Sequence, residues 1–291
     1  MTGRDRDPTT ARCGRSSQRG GWTRRTPTGL IRSTRPYAPR LVLRCVEDLL
    51  ERFAEGERGE VLAIAEAAGI AARETFGPFR DEEDSPFYEA EDLDPQLTWE
   101  RIAERVADAT ACAVAAALLK MALTSEFVCD VHRHIFGEFF PSVAGRMRAP
   151  SEGGQYSIVL GRQKDEWMHR PQVGTSGKRL PGRVREICAQ FNGSVEYAFS
   201  KDEPEFRTDL VLPAVRAYAR LLGAHPFIDG NGRSCYVVLQ FALVRIGLLT
   251  VALDDFEAHQ VALGAAIRRD GKRSYLQLET LVSDTILDAA V

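Results

Sequence analysis

The sequence lacks the features that mark several large classes of protein. None of its six cysteines forms a C-x-x-C pair, and no histidine stands at zinc-ligand spacing from them. A secreted disulfide framework is not expected in a chain of 291 residues with so few cysteines. No uninterrupted apolar run reaches the ~18 residues that a membrane-spanning helix needs. We therefore expect reduced thiols, a cytoplasmic location and no membrane partner.

The net charge of −3 conceals an uneven distribution of charge. Residues 1–40 contain ten Arg and two Asp, a charge of +8, so the remaining residues carry −11 (−11 + 8 = −3). This first segment is too poor in apolar residues to offset the entropy lost on ordering, so we expect a disordered basic segment. The acidic remainder does not fit a basic nucleic-acid-binding surface, and nucleic acid is not an expected partner.

The spacing of apolar residues predicts helices along the N-terminal third of the chain. One helix is expected after residue 41 and breaks at Gly56, and a second covers residues 60–76. A long helix capped by Thr98 and ending near Leu123 is expected further on.

An acidic stretch separates these predicted helices. Residues 81–94 hold eight Asp or Glu and no Lys or Arg, which indicates a solvated linker. We therefore take residues 41–123 as an N-terminal helical region with an acidic linker.

The rest of the chain predicts a helical core with one small hairpin. Thr124 or Ser125 is expected to cap a helix. Residues 156–160 and 168–173 are candidates for a short hairpin. Further helices are predicted around 184–191, over 213–223, from 232 to about 247, and twice within 255–289. The predicted class is mainly α, with a core over residues 124–255 and C-terminal helices over 256–291 packing on it.

The stretch that carries chemistry is the segment 225–233, HPFIDGNGR, between two apolar helices. His225 is the only side chain in it that titrates near neutral pH, so it suits a general base. Asp229 offers a hard oxygen ligand for Mg²⁺. These two residue types indicate proton transfer beside a metal-bound substrate.

The second half of the segment suits an anion. Gly230 and Gly232 permit positive φ, so successive N–H groups can converge on an anion where the next helix starts, near Asn231. Arg233 can donate two hydrogen bonds to phosphate oxygens. Glycines at this spacing alone are an ordinary turn, and Cys235 stands where a dinucleotide fingerprint has its third glycine. The whole segment, taken together, predicts a phosphate-handling site.

The segment 225–233 resembles the signature of Fic proteins (the Fido superfamily), HxFx[DE]GNGRxxR. Upstream, residues 131–136 (VHRHIF) and 144–148 (AGRMR) resemble the hxHRxLF and AGxxR segments of the same family. The resemblance covers roughly residues 124–255, under half of the chain. It implies a Fido helical core with a β-hairpin flap, for which residues 156–180 are the candidate.

The resemblance implies a protein adenylyltransferase, which moves AMP from Mg-ATP to a Ser, Thr or Tyr hydroxyl of a target protein. It assigns His225 as the base for that hydroxyl and Asp229 as the Mg²⁺ ligand. It implies that the phosphates are bound by Gly230, Asn231, Gly232 and Arg233.

Two departures from the family pattern affect regulation. Tyr236 replaces the second Arg of the signature, and a neutral side chain cannot replace its permanent charge. The inhibitory pattern [ST]xxxE[GN] of many Fic proteins is not found, because Glu51 and Arg148 stand where Ser or Thr would be needed. Both departures fit a protein without the usual self-inhibition, or a toxin restrained by a separate antitoxin-like protein.

Alternatives to adenylyl transfer stay open at this stage. One is a non-catalytic Fido protein that binds a nucleotide or a partner, which Tyr236 motivates. Another is a phosphotransferase variant, and nothing in the sequence selects ATP over UTP, GTP or CTP. His132 and His134 could suggest a metal pair, but side chains two apart on a helix diverge, so a structural role is expected.

Overall fold

The computed structural model describes residues 46–76, 95–164, 166–200, 211–248, 250, 252–253, 255–268 and 271–288. The predicted disordered segment 1–40 and the predicted acidic linker 81–94 lie outside the described residues. The chain divides into two units, Met1–Arg32, which lies outside the described residues, and Ser33–Val291, whose described part forms the fold below.

The described residues form a mainly helical fold with a single two-stranded hairpin, as predicted. The elements are α1 (Val46–Leu50), α2 (Arg58–Phe76), α3 (Pro95–Leu118), α4 (Ser125–Phe136), β1 (Gln155–Gln163), β2 (Glu166–Val173), α5 (Leu180–Ser200), α6 (Val211–Ala224), α7 (Asn231–Arg245), α8 (Phe256–Ile267) and α9 (Leu276–Asp288). None of the described helices is both long and apolar enough to cross a membrane.

The bounds of α3 correct the sequence prediction at both ends. Thr98 is not its cap, because the helix already begins at Pro95, a residue type favoured in the first turn. The helix ends at Leu118 and not at Leu123. Lys120 adopts φ 57°, and the N–H of Met121 donates to the carbonyl of Ala116 at 3.1 Å. This is a Schellman ending with lysine where glycine is usual, so the sequence carries no stop signal there.

Helix α7 is the centre of the core. Thirteen of its residues, from Asn231 to Val244, are buried. A helix that is buried on nearly all of its sides occupies the interior of the protein. It packs against α3, α4 and α6. Thr124 caps α4 as predicted, because its hydroxyl accepts a hydrogen bond from the N–H of Phe127 at 3.1 Å. The start of α7 is therefore held on several sides.

The hairpin is antiparallel, and its first strand packs against α8. Gln155 pairs with Val173 and Ser157 with Pro171, with an irregular register between Val159 and Arg162. A Cβ added at Gly264 of α8 would lie 1.8 Å from the carbonyl oxygen of Val159. The absence of a side chain on Gly264 therefore sets how closely the hairpin approaches the helices.

We expect Gly264→Ala to lower the free energy of unfolding by about 2 kcal/mol, because the new methyl group meets a backbone atom that is fixed by strand pairing. Gly193→Ala in α5 is the matched control. Its Cβ would find no atom within 4 Å, so stability should rise by about 0.5 kcal/mol through better helix propensity. Urea denaturation measures both changes, and a Gly264→Ala protein as stable as the native one would contradict the contact.

Candidate functional site

The site is built on the short loop that joins α6 to α7. Its first residue, His225, has φ 53°, and its last, Gly230, has φ 70°. Two left-handed residues reverse the chain within six positions. A Cβ at Gly230 would lie 2.2 Å from the ring of Phe136, so both backbone conformation and space require glycine. A histidine in this conformation costs about 1 kcal/mol and needs support from its surroundings.

Part of that support comes from the side chain of Asn231. Its Oδ1 accepts a hydrogen bond from the N–H of Phe227 at 2.9 Å, and its Nδ2 donates to the Phe227 carbonyl at 3.0 Å. These two bonds fix the orientation of the amide. Nδ2 also lies 3.2 Å from Nε2 of His225, and an amide nitrogen can only donate. Nε2 of His225 therefore carries a lone pair, and the proton of the neutral ring resides on Nδ1.

The His225 ring is half-buried and stacks on Tyr156 of β1. The two ring centroids are 4.9 Å apart with 6° between the planes. The hydroxyl of Tyr156 donates to the carbonyl of Gly223 at 3.2 Å, which fixes the tyrosine at the end of α6. Burial, and next the charge of Arg148, lower the pKa of His225 to about 4, while Asp229 opposes the shift. The imidazole is thus neutral near pH 7, as a general base requires.

Arg148 connects the loop to the segment that follows β2. Its side chain is buried, and its Nε donates to the carbonyl of His225 at 2.6 Å. Its Nη2 donates to the carbonyl of Ala224 at 3.3 Å and also to that of Thr175. The N–H of Thr175 donates to the same Ala224 carbonyl at 3.0 Å. One guanidinium therefore holds the strained residue of the loop and the end of the hairpin together.

His132 of α4 supports the loop from the opposite side. The N–H of Gly145 donates to its Nδ1 at 2.9 Å, so its Nε2 carries the proton and donates to the Asp229 carbonyl at 3.0 Å. Its ring stacks on Phe227 at 3.9 Å. The expectation of a structural role for His132 is confirmed. Within the described ranges, no three His, Cys, Asp or Glu side chains converge on a metal position.

The backbone donors at the start of α7 are divided between two uses. The N–H of Gly230, predicted to face a phosphate, donates to Oδ1 of Asp229. The N–H groups of Asn231 and Gly232 make no hydrogen bond within the described part of the chain, and Gly232 is exposed. They are the donors that a helix start leaves unsatisfied, at the positive end of its dipole. Within the described part of the chain, residues 231 and 232 therefore supply the backbone donors of the predicted nest that have no partner in the protein.

Asp229 is suited to bind a magnesium ion that is also held by the phosphates of a bound substrate. Mg²⁺ is commonly held by one or two carboxylates together with substrate phosphates, and not by an all-protein cage. A single half-exposed carboxylate beside the start of α7 matches that requirement. The donor set therefore suits Mg-nucleotide better than a permanently bound metal.

Arg233 is placed against α3, a contact that the sequence did not reveal. Its side chain is buried, and its guanidinium carbon lies 4.3 Å from the ring centroid of Trp99. This is a cation–π contact. The two residues are far apart in sequence, and nothing near Trp99 suggested the pairing. Arg233 is thus held beside the start of α7, on the side of the loop that faces α3.

Tyr236 points into the protein. It is fully buried, and its hydroxyl lies 3.5 Å from Oγ1 of Thr75 on α2. Thr75 itself donates to the carbonyl of Ala71 at 2.9 Å, so the tyrosine donates to the threonine. A hydrogen bond from Tyr236 to a nucleotide, or stacking of its ring on one, does not fit this position. The residue instead joins α7 to α2.

The geometry defines a helical domain in which a neutral histidine stands beside a helix start with unsatisfied N–H groups. Residues 122–243, which are under half of the chain, match the Fic/DOC family, and this segment is a Fido domain. The chain is 26% identical over 137 residues to protein adenylyltransferase Fic of Nematostella vectensis. That match spans 47% of this chain and only 26% of the relative.

Two solved structures share the fold. A Fic domain containing signaling protein from Bacteroides thetaiotaomicron has a TM-score of 0.53 at 14% identity, with 84% of this chain and 94% of that chain covered. Fic-1 from C. elegans has a TM-score of 0.51 at 17% identity, with 85% and 69% covered. At these identities the likeness shows the fold alone.

Removing Arg148 should destabilise the protein markedly. We expect Arg148→Met to lower the free energy of unfolding by about 3 kcal/mol, because it leaves buried carbonyl groups without their donor. Arg146→Met is the matched control, since Arg146 is exposed and pairs with Glu152 at the surface. That change should cost less than about 1 kcal/mol. Equal effects of the two variants in urea denaturation would contradict the proposed role of Arg148 in holding the loop and the end of the hairpin together.

Stability should fall in mild acid. Burial lowers the pKa of His132, His225 and His259 to about 4, against an ordinary value of 6.5. The unfolded chain therefore binds more protons than the folded chain between these values, and stability is lost as pH falls from 6.5 towards 4. Urea denaturation at pH 7 and pH 5 measures the loss. His259→Gln should show a smaller difference between the two pH values, and a flat profile for the native protein would contradict the burial of these rings.

Proposed function

We propose that this protein is a Fic-type protein adenylyltransferase, which transfers AMP from Mg-ATP to a Ser, Thr or Tyr hydroxyl of a target protein. The observation that carries the proposal is the pairing of a neutral His225, with its lone pair on Nε2, and the N–H groups at the start of α7. An activated oxygen and a diphosphate held in place are what adenylyl transfer needs.

The nucleotide is proposed to lie at the start of α7. The N–H groups of Asn231 and Gly232 donate to phosphate oxygens, and Arg233 supplies positive charge from the α3 side. Asp229 holds Mg²⁺, which neutralises phosphate charge when bound. Gly230 sets the sharp turn that aims these donors, because only glycine fits against Phe136.

The proton and the adenylyl group move in one displacement. The hydrogen bond from Asn231 to Nε2 of His225 breaks, and the freed lone pair accepts the proton of the target hydroxyl as its oxygen attacks the α-phosphorus. A bond forms between this oxygen and the α-phosphorus, and the bond from the α-phosphorus to the bridging oxygen of the β-phosphate breaks. Pyrophosphate leaves with the electron pair. Asn231 keeps the imidazole in the correct tautomer, and Arg148 keeps it at the head of the loop.

The hairpin is the proposed docking place for the target protein. β1 lies against α8, which leaves the outer edge of β2 as the place where an extended segment of the target could pair. We propose the Fido core as residues 124–255, with residues 41–123 bracing the nucleotide side through Trp99 and residues 256–291 bracing the hairpin. A separate antitoxin-like inhibitor stays a prediction from the family.

A second candidate is a Fido protein that binds nucleotide without turnover. The position of Tyr236 favours it, because the family's second Arg is replaced by a buried side chain that contacts α2. In that case one fewer positively charged side chain is available to bind the outermost phosphate. Tight binding of Mg-ATP without any transfer to protein would select this candidate.

Labelled ATP tests the proposal. Incubation of the protein with a cell lysate and ATP labelled at the α-phosphate should label a target protein, and His225→Ala should reduce that labelling about 1,000-fold by removing the base. His225→Ala should still bind Mg-ATP within a few-fold of the native affinity. Label transferred from the γ-position and not from the α-position would contradict the proposal and indicate phosphotransfer. UTP, GTP and CTP labelled in the same way identify the preferred nucleotide.

A further inference from the structure

A pocket lies between α5, α6 and α8, next to the end of the hairpin. It is a shallow depression with a cavity volume of about 20 Å³, and it opens to solvent. Small residues of α6 and α8 form its floor, and three arginines form its rim. Its lining residues are Thr175, Arg183, Ala219, Arg220, Gly223, Ala224, Ala266, Ile267 and Arg273. We call it the arginine pocket.

Two arginines of this pocket share one carboxylate. Glu186 accepts from Arg183 at 2.8 Å and lies 3.3 Å from Arg220. Arg273 donates to neutral oxygens, the carbonyl of Arg268 at 3.4 Å and the hydroxyl of Tyr275 at 3.5 Å. Among the described residues of this group, three positive charges and one negative charge leave a local net charge of +2 (3 − 1 = 2), in a chain whose overall net charge is −3.

The crowding of like charge favours an added anion. The side chain of Arg220 is 19% exposed. Burial, and next the neighbouring charge of Arg183, lower the pKa of Arg220. A carboxylate or phosphate group would relieve both effects, because guanidinium groups bind planar oxyanions with paired hydrogen bonds. The carbonyls of Gly223 and Ala224 do not oppose this, since Tyr156 and Thr175 already donate to them.

The pocket lies on the target side of the site, away from the proposed nucleotide position. Thr175, in its wall, follows β2 and bonds to Ala224, the residue before His225. Ile267, also in its wall, belongs to α8, which supports the hairpin. The cation proposed for the phosphates, Arg233, lies instead against Trp99 of α3. An anion in the arginine pocket would therefore belong to a molecule that lies along the hairpin.

We propose that the arginine pocket binds the carboxylate of an Asp or Glu in the target segment, so that this protein modifies hydroxyl residues that have an acidic residue a few positions away. The inference rests on the proposed function for its link to modification. The pocket then acts as a specificity determinant, because it selects among segments that the hairpin alone would hold by backbone pairing.

Binding tests the pocket without any need for catalysis. The probes are a fluorescent peptide with a central Ser flanked by Glu at several positions, the same peptide with Gln for each Glu, and inorganic phosphate. We expect the Glu peptide to bind at least about tenfold more tightly than the Gln peptide. Arg183→Gln combined with Arg220→Gln should abolish that difference. Arg185→Gln, an exposed residue of α5 outside the pocket, is the matched control and should preserve it.

Labelling from α-labelled ATP then tests the link to the reaction. The native protein should label the Glu peptide with a kcat/KM at least about tenfold above that of the Gln peptide, and the double variant should bring this ratio to about one. Equal binding and labelling of the two peptides would overturn the inference while leaving the proposed function standing. Tighter binding of the Glu peptide than of the Gln peptide, with no labelling of either, would support carboxylate binding in the arginine pocket and refute the proposed function. Competition by phosphate without discrimination between peptides would show a site for free ions and overturn the inference.

Discussion

The site depends on holding one histidine in a backbone conformation that histidine disfavours. His225 has φ 53°, and the loop it heads is kept in shape by Arg148 from the hairpin side, His132 from α4 and Asn231 from α7. The guanidinium and the two other side chains all bind backbone groups of the loop. Together they offset a local cost of about 1 kcal/mol and fix both the tautomer and the direction of the imidazole. Without them the ring and the helix start would not face the same point.

The rest of the fold serves this arrangement. α7 is buried on nearly every side, so its first turn has a fixed position. The residues that hold the loop come from α4, from the segment before β1 and from α7, which lie far apart in sequence. The hairpin reaches the same place through Tyr156 and Thr175, because Gly264 lets β1 approach α8 closely. The side proposed for the nucleotide and the side proposed for the target therefore meet at His225.

Much of the fold and the identity of the loop could be predicted from sequence. Helical spacing, the Thr124 cap and the hairpin are local patterns, and the 225–233 segment has a dense and specific composition. The end of α3 escaped prediction because Lys120 occupies a left-handed position without glycine. The roles of Trp99 and Arg148 could not be predicted, since each acts on a residue far away along the chain. The expectation that Asn231 lies at a phosphate concerns its backbone, and the additional use of its side chain inside the loop could not be predicted.

The most direct test of the central claim is a crystal structure with Mg²⁺ and an ATP analogue that resists cleavage between the α- and β-phosphates. We expect phosphate oxygens on the N–H groups of Asn231 and Gly232, with the α-phosphorus on the side of the loop that Nε2 of His225 faces. A nucleotide bound elsewhere, or a helix start that stays without phosphate at saturating nucleotide, would contradict it.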